Sequence, residues 1–497
     1  MTRIEEPCYA DPSLFLMVDP KLVETTENVI LQICPMEKNA EPVLRPTETW
    51  EGGDGKKGRP VHSDPVDGTV LFDVAEKKFH LWYRTHNHQI APMSAPSHSH
   101  VPPRGSIVCL ATSADGLNWH KPRLDLVNVD QSSANNMIPA CPPPIKAQHL
   151  SGITVNRVPG LPGKLVATVY SHFDDPVYPQ GITFLTSDDG LTWTPHFPPV
   201  LPMDGDAHCL MWDWNQGCYL CTTRSYAYGH IIGRLAKAGI QGLRNKRHVA
   251  LARSRDLIHW TPMLPVLEAD AKDPSNAQLY YMYILPYGHG YLGFVQLFYM
   301  QEPEMTYGPL DMQLAFSRDL VTWTRVEDRA AILPRGPAGA WDQSHVSLTT
   351  NPPHPEGDRL RFWYGGKDTE HWQNGNAALG TATLKRDAFA GYTAGAGGGT
   401  VTTAPFDMTW AAKLNVSADA ARGEIRLEIL DADSLKPLEG TAAADCQPLT
   451  ADEPLQQVSF GERRGTFVRH TGRIRFRFHL KNATLYAFRA TNCAPAP

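Results

Sequence analysis

Four short segments of this chain share one pattern: serine, any residue, aspartate, three further residues, tryptophan. They are SADGLNW (Ser113–Trp119), SDDGLTW (Ser187–Trp193), SRDLIHW (Ser254–Trp260) and SRDLVTW (Ser317–Trp323). Their aspartates, Asp115, Asp189, Asp256 and Asp319, are 74, 67 and 63 residues apart, and LKRDAFAGY places Asp387 a further 68 residues on as a degraded fifth copy. A repeat of this length is the mark of an architecture assembled from stacked supersecondary units. The serine and aspartate side chains can bond nearby backbone groups and close a tight turn. The tryptophan then packs on the strand that leaves it. An active site needs differentiated residues, so repetition assigns these aspartates to the scaffold.

Each copy follows an alternating apolar run: SIVCLATS, GITFLTS, HVALARS and DMQLAFS. Two more strand-like runs lie upstream in every unit, such as GTVLFD and KFHLWYR in the first, or HCLMWD and CYLCTTR in the third. Four antiparallel strands per unit, repeated radially, predict an all-β chain with a five-bladed β-propeller. The pattern stops near residue 400, after the Gly/Ala/Thr-rich stretch GYTAGAGGGTVTTAP (Gly391–Pro405). Alternating strands without the turn motif follow, which predicts a C-terminal β-sandwich. The expected organisation is a lead-in over 1–48, the propeller over 49–395 and the sandwich over 405–497. One helical candidate stands out, Gly233–Leu243.

The formal net charge of −6 argues against general nucleic-acid binding. The N-terminus is acidic where a signal peptide is basic, and no apolar run reaches 18 residues, so a cytoplasmic chain with no membrane partner is expected. Nine cysteines without regular spacing do not read as a disulfide framework. Cys218 and Cys221 form a C-x-x-C inside a strand, without the second pair a zinc site needs, and read as buried thiols.

A five-bladed propeller with S-x-D turns, followed by a sandwich, resembles the β-fructosidase-like glycoside hydrolase superfamily. That group includes families 32, 43, 62 and 68, with the phosphorolytic family 130 related in fold. Bacterial sialidases carry a similar turn, S-x-D-x-G-x-T-W. Here the tryptophan comes one residue earlier and no arginine triad can be assigned, which puts sialidase behind. The W-N-D-P and R-D-P signatures of family 32 are missing. HSDPVDGTVLFD (His62–Asp73) resembles the opening of family 43, with Asp64 and Asp67 as the two equivalents. The resemblance implies a glycoside hydrolase without assigning its family.

Propeller geometry says where to look. If each innermost strand begins at the active face, the segments opening the units converge there, and the loops between second and third strands return to it. The opening segments carry Asp64 and Asp67, His149, then Asp204, Asp206 and His208, then Asp270 and Asp273, and finally WDQSHV with Asp342 and His345. The returning loops add His86 and His88, Asp174 and Asp175, Arg224, Glu302 and Glu304, and Lys367 and Asp368. Glycoside hydrolysis needs one carboxylic acid to protonate the leaving oxygen and a second carboxylate opposite it. A third can tune the pair through like-charge repulsion.

Asp67, with Asp64 as substitute, is the expected base or nucleophile, and Asp206 its orienting partner. Glu304, or Glu302, is the expected general acid, and Asp342 a ligand for sugar hydroxyls. Glu51, His149, His208, Arg224, Trp341 and His345 are further substrate-binding candidates, with Trp50 and Trp341 the aromatics placed at the rim. For any one carboxylate a turn or strand cap is the simpler role. Five units each bringing polar residues to one rim is the stronger signal. No cofactor is required by this chemistry, although His62, His149, His208 and His345 also allow a metal ion at the axis.

The leading expectation is an exo-acting glycosidase on a furanoside or short oligosaccharide. A glycoside phosphorylase on the same scaffold is the alternative, with Arg84, Arg224 and Lys367 available for phosphate. A non-catalytic carbohydrate-binding propeller is the third.

Overall fold

The computed structural model describes residues 3–51, 68–86, 106–128, 131–139, 150–172, 180–202, 207–226, 246–301, 307–326, 328–371, 373, 375–461 and 468–495. Among these residues the secondary structure is all β, apart from a single 3-10 turn at Thr49–Glu51. The helical candidate Gly233–Leu243 lies outside the described residues. No helix among the described residues is long and apolar enough to cross a membrane.

Three separate antiparallel sheets follow one another along the chain, and one larger sheet then supplies a fourth and a fifth antiparallel unit, joined by a parallel bridge between Leu310 and His345. The first runs Gly68–Asp73, Lys78–His86 and Ser106–Ser113, with His120 and Met137 bridging its outer edge. The second runs Leu150–Val155, Leu165–His172, Gln180–Ser187 and Thr194–Pro202; the third, His208–Asp213, Cys218–Tyr226, Arg247–Ser254 and Leu264–Leu267. The fourth runs Ala277–Gly288, Gly290–Tyr299 and Leu310–Ser317, edged by Thr324–Arg325 and Ala331–Leu333. The fifth runs His345–Leu348, Arg359–Lys367 and Ala377–Lys385, and its outer strand is Glu37–Lys38 from the start of the chain.

The first strands of these units are neighbours in cyclic order. Gly68–Asp73 packs on Leu150–Val155, that on His208–Asp213, and that on Ala277–Gly288. Tyr281 Oη then lies 2.8 Å from Ser347 Oγ and donates to Leu348 O at 2.9 Å, joining the fourth unit to the fifth. Thr350 N donates to Gly68 O at 2.9 Å and Val70 N to Asn351 Oδ1 at 2.8 Å, returning the fifth to the first.

The N-terminal segment threads through all of this. Ile4–Glu5 pairs with the first inner strand at Phe72 and Asp73, and Tyr9–Ala10 pairs with the fourth at Tyr287 and Gly288. Between these contacts Glu6 holds Arg157 at 2.7 Å and accepts from Thr154 Oγ1 at 2.7 Å, so the segment crosses the far end of the ring. Leu14–Leu16 and Ile30–Ile33 then join one six-stranded sheet, and Val23–Glu27 joins another. The remaining strands of these two sheets come from Ala390–Ala394 onward, so both Ala390–Ala394 and Gly399–Thr403, ahead of Pro405, belong to them. Phe15, Phe406, Phe476 and Phe488 are buried together between the sheets, Phe15 meeting Phe406 edge-on at 4.9 Å.

The four turns are built alike. Asp319 Oδ1 accepts from Val321 N at 2.8 Å and Thr322 N at 2.7 Å, while Ser317 Oγ accepts from Leu320 N at 2.9 Å. Asp115, Asp189 and Asp256 repeat this arrangement. Bonds from Asn118 and Leu117 hold the Asp115 carboxyl below its usual range. At Asp189, Asp256 and Asp319 burial opposes the charge, and the same bonds outweigh it. The residue after aspartate takes a left-handed conformation in every copy, with φ of 71° at Gly116, 70° at Gly190, 65° at Leu257 and 66° at Leu320. Glycine accepts this without cost, and leucine does not.

Packing between units explains why leucine is used twice. Trp363 of the fifth unit donates to Gly116 O at 2.8 Å, and a Cβ on Gly116 would meet Trp363 Cζ2 at 2.6 Å. Leu257 instead fills a space beside Val166, Phe184 and Tyr219, and Leu320 is fully buried in the largest core. Asp387 departs from the series. It is buried and accepts from Tyr287 Oη at 2.7 Å and Ser417 Oγ at 2.7 Å, tying the fourth unit to a C-terminal sheet.

Gly116→Leu and Leu320→Gly should each lower the thermal midpoint, although each installs another copy's native residue. The first forces a leucine into the Trp363 ring. The second relieves φ but empties a buried leucine site, at a net cost of about 2 kcal/mol. Differential scanning calorimetry reads both. Equal midpoints would mean the turns are interchangeable.

Candidate functional site

The first strands of the five units begin at Gly68, Leu150, His208, Ala277 and His345, and these starts lie at one end of the ring. The second strands end there, which brings Arg224, Tyr226 and Lys367 to the same rim. His208 opens the third inner strand opposite Thr223, and Arg224 N donates to Ala207 O at 2.8 Å just before it.

From Arg224 a continuous set of contacts runs across three units. The Arg224 guanidinium lies 4.8 Å over the Tyr280 ring and 5.4 Å from that of Tyr226. Tyr280 Oη is 3.0 Å from His371 Nε2. The His371 ring packs 4.9 Å from Phe298 and 6.2 Å from His345. His345 sits opposite Lys367 in strand register, with its Nε2 3.3 Å from Gln296 Nε2. Lys367 is fully buried and donates to Gln373 O at 2.8 Å. Arg247 extends the cluster: it lies 5.3 Å from the Phe298 ring and donates to Gln278 Oε1 at 2.9 Å.

Three cations, two imidazoles and several aromatic faces therefore meet at this end. Guanidinium and ammonium groups there suit oxygen-rich or anionic ligands, and ring faces suit the C–H faces of sugars.

The sequence-derived candidates divide into three groups. Asp64, Asp67, His149, Asp206, Glu302 and Glu304 lie outside the described residues, as does His62. Arg224 and His345 come together in the cluster, and His208 opens a strand at the same rim. Glu51, Asp342 and Trp341 have other surroundings. Glu51 is fully buried: Lys121 Nζ reaches its Oε2 at 2.5 Å, Thr47 N and Glu48 N donate to the same oxygen at 2.9 Å, and Tyr83 Oη bonds Oε1. Asp342 is buried, with Lys38 Nζ at 2.7 Å and Tyr364 Oη at 2.9 Å on its Oδ2. The geometry makes it a clamp for the N-terminal strand. Trp341 stacks on Tyr364 at 5.6 Å and donates to Ala40 O at 3.2 Å. Trp50 donates to Asn136 Oδ1 at 2.8 Å. Asp273 is paired with Arg325, and Asp270 with Arg329 at 2.7 Å, on the outer side of the fourth unit.

His371 and Arg247 stand in polar segments, TEHWQN and RNKRHV, whose spatial partners no local pattern marks, whereas Tyr280 and Gln296 escaped the sequence reading because each sits in an apolar strand that reads as core. Asp311 escaped for the same reason. It is the second residue of the strand Leu310–Ser317, just after the segment bearing Glu302 and Glu304. Burial raises its carboxyl to about 6, against the pull of Arg335 at 3.8 Å and a 3.1 Å bond from Tyr299 Oη. Cys218 and Cys221 are free and buried, and burial pushes their thiols up to about 11 and about 12. They carry no chemistry here.

No known protein-family profile matches the chain, and no curated protein matches it either. Solved structures do resemble it. One glycoside hydrolase aligns with a TM-score of 0.45 and 13% identity over 70% of this chain and 92% of its own. A β-1,2-mannobiose phosphorylase from Listeria innocua, bound to β-1,2-mannobiose, gives 0.43 and 12% over 71% and 97%. A thermostable family-43 glycoside hydrolase gives 0.41 and 13% over 67% and 95%.

Asp311→Asn keeps the shape and removes the ionisable proton. The folded carboxyl titrates near 6, above its unfolded value of about 3.9. The wild type should therefore lose stability as pH rises between the two values and then level off. The variant should gain relative to wild type across that window, by at most about 3 kcal/mol at neutral pH. Thermal midpoints at pH 4, 5, 6 and 7.5 read this. A constant offset would place the titration elsewhere.

Proposed function

We propose that the five units are the blades of a β-propeller, that the two six-stranded sheets form a sandwich completed by N-terminal strands, and that the chain is a carbohydrate-active enzyme. Its site is the end of the axis where the inner strands begin. The observation that supports this best is the run Arg224–Tyr280–His371–His345. It brings a cation, an aromatic ring and two imidazoles from three units to one rim. The segments bearing Asp64, Asp67, Asp206, Glu302 and Glu304 adjoin that rim in sequence.

In this reading Asp67, or Asp64, activates the nucleophile or attacks directly. Asp206 orients it, and Glu304, or Glu302, protonates the leaving oxygen. Arg224 and Tyr280 hold the sugar, the guanidinium fixed by its stacking on the ring. The substrate class is a furanoside or a short oligosaccharide cleaved from its end, and the setting is cytoplasmic.

Phosphorolysis is the second reading, and the cationic character of the rim favours it. Arg224 and Lys367, which the sequence offered for phosphate together with Arg84, lie on second strands near the ends that reach this rim. Arg247 adds a third positive group from the neighbouring strand. An anionic co-substrate would find charge-assisted donors in all three.

A screen over aryl furanosides, fructans and manno-oligosaccharides, run with and without phosphate, tests both readings. Free sugar released without phosphate supports hydrolysis, and a sugar phosphate formed only with phosphate supports phosphorolysis. Glycan binding with no turnover would overturn the enzyme reading. Asp67→Asn, Asp206→Asn and Glu304→Gln should each lower kcat by about 100-fold or more. Arg224→Ala should mainly raise KM. Near-normal turnover in all three carboxylate variants would reject the assignment.

A further inference from the structure

A cluster of potential ligands lies at the opposite end of the first unit, where its first two strands turn. Asp73 ends the strand Gly68–Asp73, Glu76 lies in the turn, and His80 is the third residue of Lys78–His86. Strand register pairs Asp73 with Lys78 and Leu71 with His80. Asp73 and His80 are thus diagonal neighbours on one face, and Glu76 reaches the same place from four residues before His80. One donor atom from each of the three lies within 4.8 Å of the others.

The imidazole is the informative group. His80 is 5% exposed, yet neither Nδ1 nor Nε2 has a hydrogen-bond partner. A buried imidazole left in that state needs an explanation, because an unmade hydrogen bond in the interior costs on the order of 1–3 kcal/mol. Its Nε2 faces Glu76 Oε2 at 3.7 Å, too long for a hydrogen bond. That spacing suits two ligands of one ion, since each metal–ligand bond is about 2.0–2.2 Å. An imidazole nitrogen without a hydrogen-bond partner has a lone pair to offer an ion. The Trp82 ring stacks 6.0 Å from the imidazole and limits its rotation. Asp73 is oriented by backbone donors: Ala75 N at 3.0 Å, Glu76 N at 3.1 Å and Arg3 N at 3.2 Å.

We propose that Asp73, Glu76 and His80 bind a first-row divalent cation of the zinc type, remote from the rim that carries the candidate active site. One neutral imidazole and two carboxylates balance the ion's charge. The nitrogen ligand favours zinc over calcium or magnesium, which take oxygen. Because Asp73 also holds Arg3 N, an ion here fastens the N-terminal segment to the first hairpin. Its role is structural, and it does not depend on what the protein does to sugars.

The test uses the full chain freed of metal by chelation, titrated with zinc chloride in a calorimeter, with Glu76→Gln and His80→Asn alongside. Glu76 is an exposed turn residue, so its variant should fold even if the buried substitution does not. The wild type should bind one equivalent of zinc more than either variant, and zinc should raise its thermal midpoint by several degrees. Neither variant should show that rise, and magnesium or calcium at equal concentration should not produce it. The same zinc stoichiometry in wild type and Glu76→Gln, or an equal rise in midpoint, would overturn the proposal.

Discussion

The whole arrangement depends on closing a ring of sheets whose first and last members are far apart in sequence. An uncovered strand exposes a row of unpaired backbone groups, and a ring left open would present such an edge along Ala377–Lys385. The chain meets this by laying Glu37–Lys38 against Thr383 and Ala382 and by bridging Leu44 to Leu379. The Lys38 ammonium then pairs with the buried Asp342 carboxylate, which Tyr364 also holds. A buried ion pair of this kind contributes more to register than to net stability, because desolvation offsets much of its attraction. At the inner side, Thr350 and Asn351 complete the contact with Gly68 and Val70.

The same N-terminal segment makes the two parts of the molecule interdependent. Residues 4–10 cross the far end of the ring, residues 14–33 supply three strands to the C-terminal sheets, and residues 37–44 return to the fifth unit. Asp19 shows the consequence locally. It is buried, accepts from Arg318 Nε at 2.6 Å and faces His289 Nε2 at 2.8 Å, so the lead to the C-terminal sheets is pinned to the fourth unit. Asp387 repeats the logic between Tyr287 and Ser417. A rigid base of this kind lets the opposite rim carry groups that are costly to bury, Lys367 and Arg224 among them.

Much of the fold was legible because it is periodic. The alternation of SIVCLATS, GITFLTS, HVALARS and DMQLAFS marks each unit's third strand, and the four turns form the bonds their serines and aspartates suggest. Asp387 was legible only as a position in the series, since its partners come from distant parts of the chain. The rim was partly legible. Arg224, His208 and His345 were reached by asking which strand ends share a face, whereas Tyr280 and Asp311 were hidden in apolar runs and His371 stood in a polar loop with nothing local to mark its partners. Glu51 was singled out as a further substrate-binding candidate next to Trp50, and Asp342 as the carboxylate of the segment opening the fifth unit. Their ties to Lys121 and Lys38 involve residues 70 and 304 positions away, a separation no local pattern encodes.

By itself, then, the sequence determined the repeating unit, its turn chemistry and the end of each strand at which polar residues collect. Those follow from backbone hydrogen bonding and from alternation along a strand, both of them local. Tertiary structure decided which residue closes the ring, which turn takes leucine rather than glycine, and which cations, imidazoles and carboxylates become neighbours. Those outcomes depend on the space and the unpaired donors one unit leaves for the next, and that is settled only once distant segments are packed together.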